Sequence, residues 1–102
     1  MSIEELRISE KIYSATSVEV DFLLPDKAIA TIHIFEGSCP DSALATARLM
    51  FGDEILWVIQ RDSHMTRKVV LTGDGVSTIK IICENACNAS YYFNSYCKVS
   101  YE

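Results

Sequence analysis

The sequence predicts an all-β domain: a single antiparallel β-sandwich, jelly-roll or immunoglobulin-like, with about seven to eight strands and an N-terminal arm. Three observations carry that expectation. Short runs rich in β-branched and aromatic residues recur along the chain, Gly, Pro, Asn and Asp punctuate them, and no long stretch holds the apolar period of a helix. A length of 102 residues suits one domain. It divides into residues 1–13, an arm or edge element, and residues 14–102, the sandwich.

The arm admits two readings. Ser2-Ile-Glu-Glu5 fits a capping box opening a helix over Ile3 to Glu10, whereas Leu6 and Ile8 fit the start of a strand. From Thr16 to Leu24 the alternation is clean, with Val18, Val20, Phe22 and Leu24 on one parity and Glu19 and Asp21 on the other, so this is a half-buried strand. Pro25-Asp26-Lys27 ends it with turn chemistry. Ala28 to Phe35 is apolar on both parities: Ala30, Ile32 and Ile34 share one, Ile29 and Phe35 the other, and a strand of this kind is covered on both faces. Glu36 to Ser42 reads as a loop.

Ala43 to Phe51 fits either a short helix capped by Ser42 or a strand, and the hairpin signal immediately after it favours the strand. Gly52-Asp53 has Gly at the first central position of a two-residue type II′ hairpin, and Glu54 to Gln60 is a β-branched and aromatic run. Trp57 shares parity with Ile55 and Ile59, which argues for core. Arg61 to Met65 is a turn, Thr66 to Thr72 a strand, and Gly73-Asp74-Gly75 another turn. Thr78 to Glu84 alternates again. After the loop Asn85 to Ser90, the last strand places Tyr91, Phe93, Cys97, Val99 and Tyr101 on one parity and Tyr92, Asn94, Tyr96 and Lys98 on the other.

Composition narrows the partners. Nine Lys and Arg against fourteen Asp and Glu give a net charge of −5, which is not the footprint of a duplex-binding protein, so no nucleic acid is expected. No apolar run approaches the roughly 18 residues of a membrane helix, and no membrane partner is expected. The opening Met1-Ser-Ile-Glu-Glu5 has neither the basic start nor the apolar core of a signal peptide, which points to a product made in the cytoplasm. In that compartment Cys39, Cys83, Cys87 and Cys97 read as free, buried thiols, and the sequon Asn88-Ala-Ser90 as chance.

Motifs for catalysis are missing: there is no G-x-S-x-G elbow, no phosphate-binding loop and no H-E-x-x-H. His33 lies within a strand and His64 in a polar turn, each better explained by packing or solvation than by catalysis. Glu36, Asp41, Asp53, Asp62 and Asp74 fall at turns, where acids commonly form the turn itself. Asp74 with Asp41 or Glu36 would supply oxygens to a hard cation only if their turns met at one end of the sandwich, and the spacing of a calcium loop is absent. The chain is read as cofactor-free and non-enzymatic.

Hydrophobic residues make up 49% of the chain, a large share for so small a domain, and the excess falls on outward parities around Ile29, Phe35, Leu56, Val58, Tyr92 and Tyr96. An aromatic ring with a polar tip suits a surface that alternates between wet and buried. Tyr92, Tyr96, Ile29 and Phe35 are therefore the candidate interface residues.

The order Val18-Glu-Val-Asp-Phe-Leu-Leu-Pro25-Asp-Lys27-Ala-Ile-Ala-Thr-Ile-His-Ile34, then the hairpin Leu49-Met-Phe-Gly52-Asp-Glu-Ile-Leu-Trp57, then Thr72-Gly73-Asp74-Gly75 before Ile79-Lys-Ile, resembles small β-sandwich accessory proteins of tailed-phage virions. The resemblance spans residues 14–101 and includes no site motif. It implies a decoration, fibre or tail-associated protein, often trimeric, without cofactor and located in the virion. The expected function is thus a structural or interaction subunit, a homo-oligomer bound to itself or to other virion proteins. The alternative is a carbohydrate-binding module that uses exposed tyrosines and loop acids on a glycan.

Overall fold

Alternation becomes architecture through nested pairing. The computed structural model describes residues 1–102 and contains nine strands and no helix: β1 (Ser2–Ile12), β2 (Thr16–Leu23), β3 (Ile29–Ser38), β4 (Ala45–Phe51), β5 (Glu54–Ile59), β6 (Ser63–His64), β7 (Val69–Thr72), β8 (Thr78–Asn85) and β9 (Tyr91–Tyr101). One sheet runs β1-β9-β3, with β6 and β7 both paired to the far side of β3; the other runs β2-β8-β4-β5. Every pairing is antiparallel. The first half of the chain meets the second in reverse order, β4 with β5, β3 with β6 and β7, β2 with β8 and β1 with β9. With β6 and β7 counted as one edge, this is a jelly roll rather than an immunoglobulin-like sandwich.

The core lies between the sheets. Leu6, Ile8 and Ile12 of β1, Phe93, Cys97 and Val99 of β9, and Ala30, Ile32 and Phe35 of β3 face Ala45, Ala47 and Leu49 of β4 and Ile79, Ile81 and Cys83 of β8. Asn85 and Ser95 are the two buried polar residues. Asn85 is satisfied on both sides of its amide: Nδ2 donates to the carbonyls of Ile12 and Ala89, each at 2.9 Å, and Oδ1 accepts from Cys87 N–H at 2.9 Å. A buried amide with three partners fixes the loops around it instead of destabilising them.

Within the segment 1–13, Ser2–Ile12 is strand, not helix. Its outward residues alternate Ile3, Glu5, Arg7, Ser9 and Lys11 against inward Leu6, Ile8 and Ile12, and the whole length pairs with β9 from Ser2↔Tyr101 to Ile12↔Tyr91. A capping box binds only local backbone groups, whereas the edge of β9 offers partners along eleven residues of β1. Ala45–Phe51 is the strand expected, and the Gly52-Asp53 hairpin comes directly after it with Gly52 at φ +59°. Two short pieces differ from expectation: Ser63–His64, expected as turn, pairs with Glu36 and Gly37, and β3 continues through Glu36 to Ser38 where a loop is expected. Each gains backbone partners from a strand distant in sequence, which local turn chemistry does not reveal.

Two β-bulges change which side chains are inside. In β3 the register shifts between Ile32 and Ile34, so that Ile32 faces Val99 and Ile34 faces Lys98, with His33 the extra residue. An extra residue reverses the parity of everything after it. Phe35, expected outside, is therefore fully buried, and Ile34, expected with Ala30 and Ile32, is exposed. In β5, Leu49↔Trp57 is followed by Met50↔Ile55, leaving Leu56 as the extra residue. Leu56 and Trp57 both pack against the core, while Ile55 turns out to solvent.

The sandwich has two ends. Pro25 to Lys27 and Gly73 to Gly75 close one, latched together by Lys27 N–H to Gly73 O at 2.9 Å and Gly73 N–H to Ala28 O at 2.8 Å. The approach is so close that a Cβ on Gly73 would overlap the Pro25 carbonyl. The β1–β2, β3–β4 and β8–β9 connections close the other end.

Candidate functional site

The outer face of the β1-β9-β3 sheet carries the sequence-predicted tyrosines, and pairing register places their neighbours in rows. Starting from the chain termini, Ile3, Ser100, Thr31 and Val70 form one row; Glu5, Lys98 and Ile34 the next; Arg7, Tyr96, Glu36 and His64 the third; Ser9, Asn94 and Ser38 the fourth; and Lys11 and Tyr92 the last. Directly opposed side chains on one face interact, so each row is a unit.

The third and fourth rows enclose a shallow cleft of about 380 Å³, lined by Arg7, Tyr96, Glu36, Asn94, Asp62 and His64 among others. This volume lies within the range of small-molecule sites, about 300–1,000 Å³. Tyr96 is held from two directions. The Arg7 guanidinium carbon stands 4.5 Å from its ring centroid, a cation–π arrangement, and its hydroxyl donates to Glu5 Oε2 at 2.9 Å. Donating to that carboxylate favours the protonated phenol and raises its pKa above the ordinary 10. Tyr92 is 60% exposed and lies outside the cleft, its hydroxyl 2.5 Å from Ser9 Oγ.

The termini-proximal half of the same face differs in character. Ile3, Ile29 and Val70 are 55%, 53% and 66% exposed, and Ile34 is 37% exposed. Of the four candidate interface residues, Tyr92, Tyr96 and Ile29 share this face, while Phe35 sits in the core because of the His33 bulge. His33 itself is half-buried with Nε2 2.6 Å from Ser100 Oγ.

A second concavity, about 800 Å³, opens at the loop end between Pro40, Leu44, Asn88 and Tyr91. Its Asp41 is engaged by Arg61 Nε at 2.5 Å on an exposed surface. Asp74 belongs to the opposite end, so Asp41 and Asp74 do not converge on a shared cation. Its carboxylate is occupied by its own turn, accepting from Ser77 Oγ, Ser77 N–H and Val76 N–H at 2.7, 2.7 and 2.9 Å, and these bonds hold its pKa at about 2. No group of three His, Cys, Asp or Glu side chains is arranged to hold a metal ion.

All four cysteines are free and buried. Burial pushes the Cys97 thiol up to about 12 and also raises Cys83 and Cys39. No protein-family model matches this chain, and no curated protein sequence does so either.

Arg7, Glu36, Asn94, Asp62 and His64 are the site residues that sequence reading does not bring together. Each looks like ordinary surface alone. The available signal is the outward parity of Asn94 and Tyr96 on one strand, and only register adds Arg7 and Glu36 to them.

Proposed function

We propose that the chain is a non-enzymatic structural subunit that works by surface contact, self-associating into a homo-oligomer within a larger assembly. The observation that carries this reading is the cluster of Ile3, Ile29, Ile34 and Val70, aliphatic side chains standing out from three strands on one half of a sheet face. Isolated exposed aliphatics are ordinary, but several gathered on one flat face mark a contact surface. Ser100 and Thr31 stand between Ile3 and Val70, and Lys98 and Glu5 share the row of Ile34, so the aliphatic side chains are set among polar ones, as in the mixed surfaces of protein contacts. A second copy offers the same apolar patch, so a symmetric contact buries it on both sides. The turn and strand order similar to tailed-phage accessory proteins favours a virion as the setting, with other virion proteins as further partners.

Light scattering coupled to size-exclusion chromatography at tens of micromolar tests it. A defined oligomer that Ile34→Glu with Val70→Glu converts to a folded monomer is the expected result. A wild-type monomer, or an oligomer indifferent to both substitutions, overturns it.

A further inference from the structure

We infer that the cleft beside Tyr96 is a binding site for a neutral pyranose ring of a glycan. The inference is independent of self-association, since the cleft and the aliphatic cluster occupy different halves of the face.

Three features of the cleft match that ligand. First, a pyranose has one face dominated by C–H groups, and the part of the Tyr96 ring that Arg7 leaves uncovered is the aromatic surface of the cleft for it. Tyr96 is fixed by Arg7 and by its bond to Glu5 before any ligand arrives, so little side-chain freedom is lost on binding. Second, the edge of a sugar presents hydroxyls that both donate and accept. Glu36 and Asp62 are acceptors, the Asn94 amide is both donor and acceptor, and Ser38 is either, all lining the same cleft as the ring. The backbones of Glu36, Asn94 and Ser38 are held by the ladder pairs Tyr96↔Glu36, Asn94↔Ser38 and Glu36↔His64, so these three stand on paired strands, and Asp62 lies in the bend just before β6.

Third, charge selects the kind of sugar. The lining carries Glu36 and Asp62 against Arg7, whose guanidinium lies over the Tyr96 ring, and His64, while the Glu5 carboxylate, bonded to the tyrosine hydroxyl, stands just outside it. On a chain of net charge −5, this excess of carboxylate repels sialic and uronic acids and leaves neutral sugars favoured.

The test is an array of neutral and acidic glycans probed with the full chain, followed by calorimetric titration of the methyl glycoside of the best neutral hit. Glu36→Gln, which keeps the side-chain shape, should weaken binding tenfold or more, and Tyr96→Ala should abolish it, while Val70→Glu leaves it unchanged. Amide shifts on titration should map to residues 36, 64, 94 and 96. Retention of no neutral glycan, preference for acidic ones, affinity untouched by Glu36→Gln and Tyr96→Ala, or shifts confined to Leu44 and Tyr91 at the loop end would each overturn it.

Discussion

β9 and β3 run side by side in one sheet and face the same core, yet they reach it by different routes. β9 alternates without a break, burying Phe93, Ser95, Cys97 and Val99 and presenting Tyr92, Asn94 and Tyr96. β3 leaves one residue, His33, outside the pairing, and buries Ala30 and Ile32 before it and Phe35 after it. The unbroken strand fixes where the outer tyrosines stand. The bulged one sets what stands beside them, because it brings Ile34, Glu36 and Ser38 to the outer face. One inserted residue thereby adds Ile34 to the aliphatic side chains and Glu36 to the acids of the cleft.

Deleting one residue from each strand attacks this contrast most directly. Without Lys98, β9 cannot bury Cys97 and Val99 together, so the expected loss is above about 4 kcal/mol, or failure to fold, by guanidinium unfolding, whereas without His33 the alternation from Ala30 to Phe35 becomes regular, Ile32 and Phe35 stay inside, and the loss stays below about 2 kcal/mol. Equal losses would show that the two strands are equivalent after all. Next in size, Phe35→Ala should cost about 3–5 kcal/mol while Tyr92→Ala stays within about 0.5 kcal/mol, measured the same way. Equal costs would place Phe35 outside. The smallest effect sharpens the β9 side: with its pKa at about 12, Cys97 exposes thiolate at about one part in ten thousand at pH 8, so iodoacetamide should leave it unlabelled in the native fold and modify it after denaturation.

The same contrast explains how much of the fold is legible in the sequence. The all-β class, the Gly52-Asp53 hairpin and the outward parity of Tyr92 and Tyr96 come from period and turn chemistry, which are local. Parity counting puts Phe35 and Ile55 on the wrong faces because a bulge is invisible to it when both parities are apolar, as around Ile32 to Phe35. β1 stays open between helix and strand because Ser2-Ile-Glu-Glu5 satisfies either, and only the distant edge of β9 selects one. The cleft is the least legible feature. Its residues come from positions 7, 36, 62–64 and 94–96, joined by register that no single segment encodes.

The nested pairing also imposes an order in time. The β4–β5 hairpin closes across two residues, whereas Ser2 must find Tyr101, almost the whole chain away. Loop closure slows with sequence separation, so the sheets grow outward from Gly52-Asp53 and β1 docks last. During synthesis Leu6, Ile8 and Ile12 stay uncovered until β9 has been made. The alternating Glu5, Arg7, Glu10 and Lys11 that make β1 a poor template for stray strands protect the newborn chain through that wait.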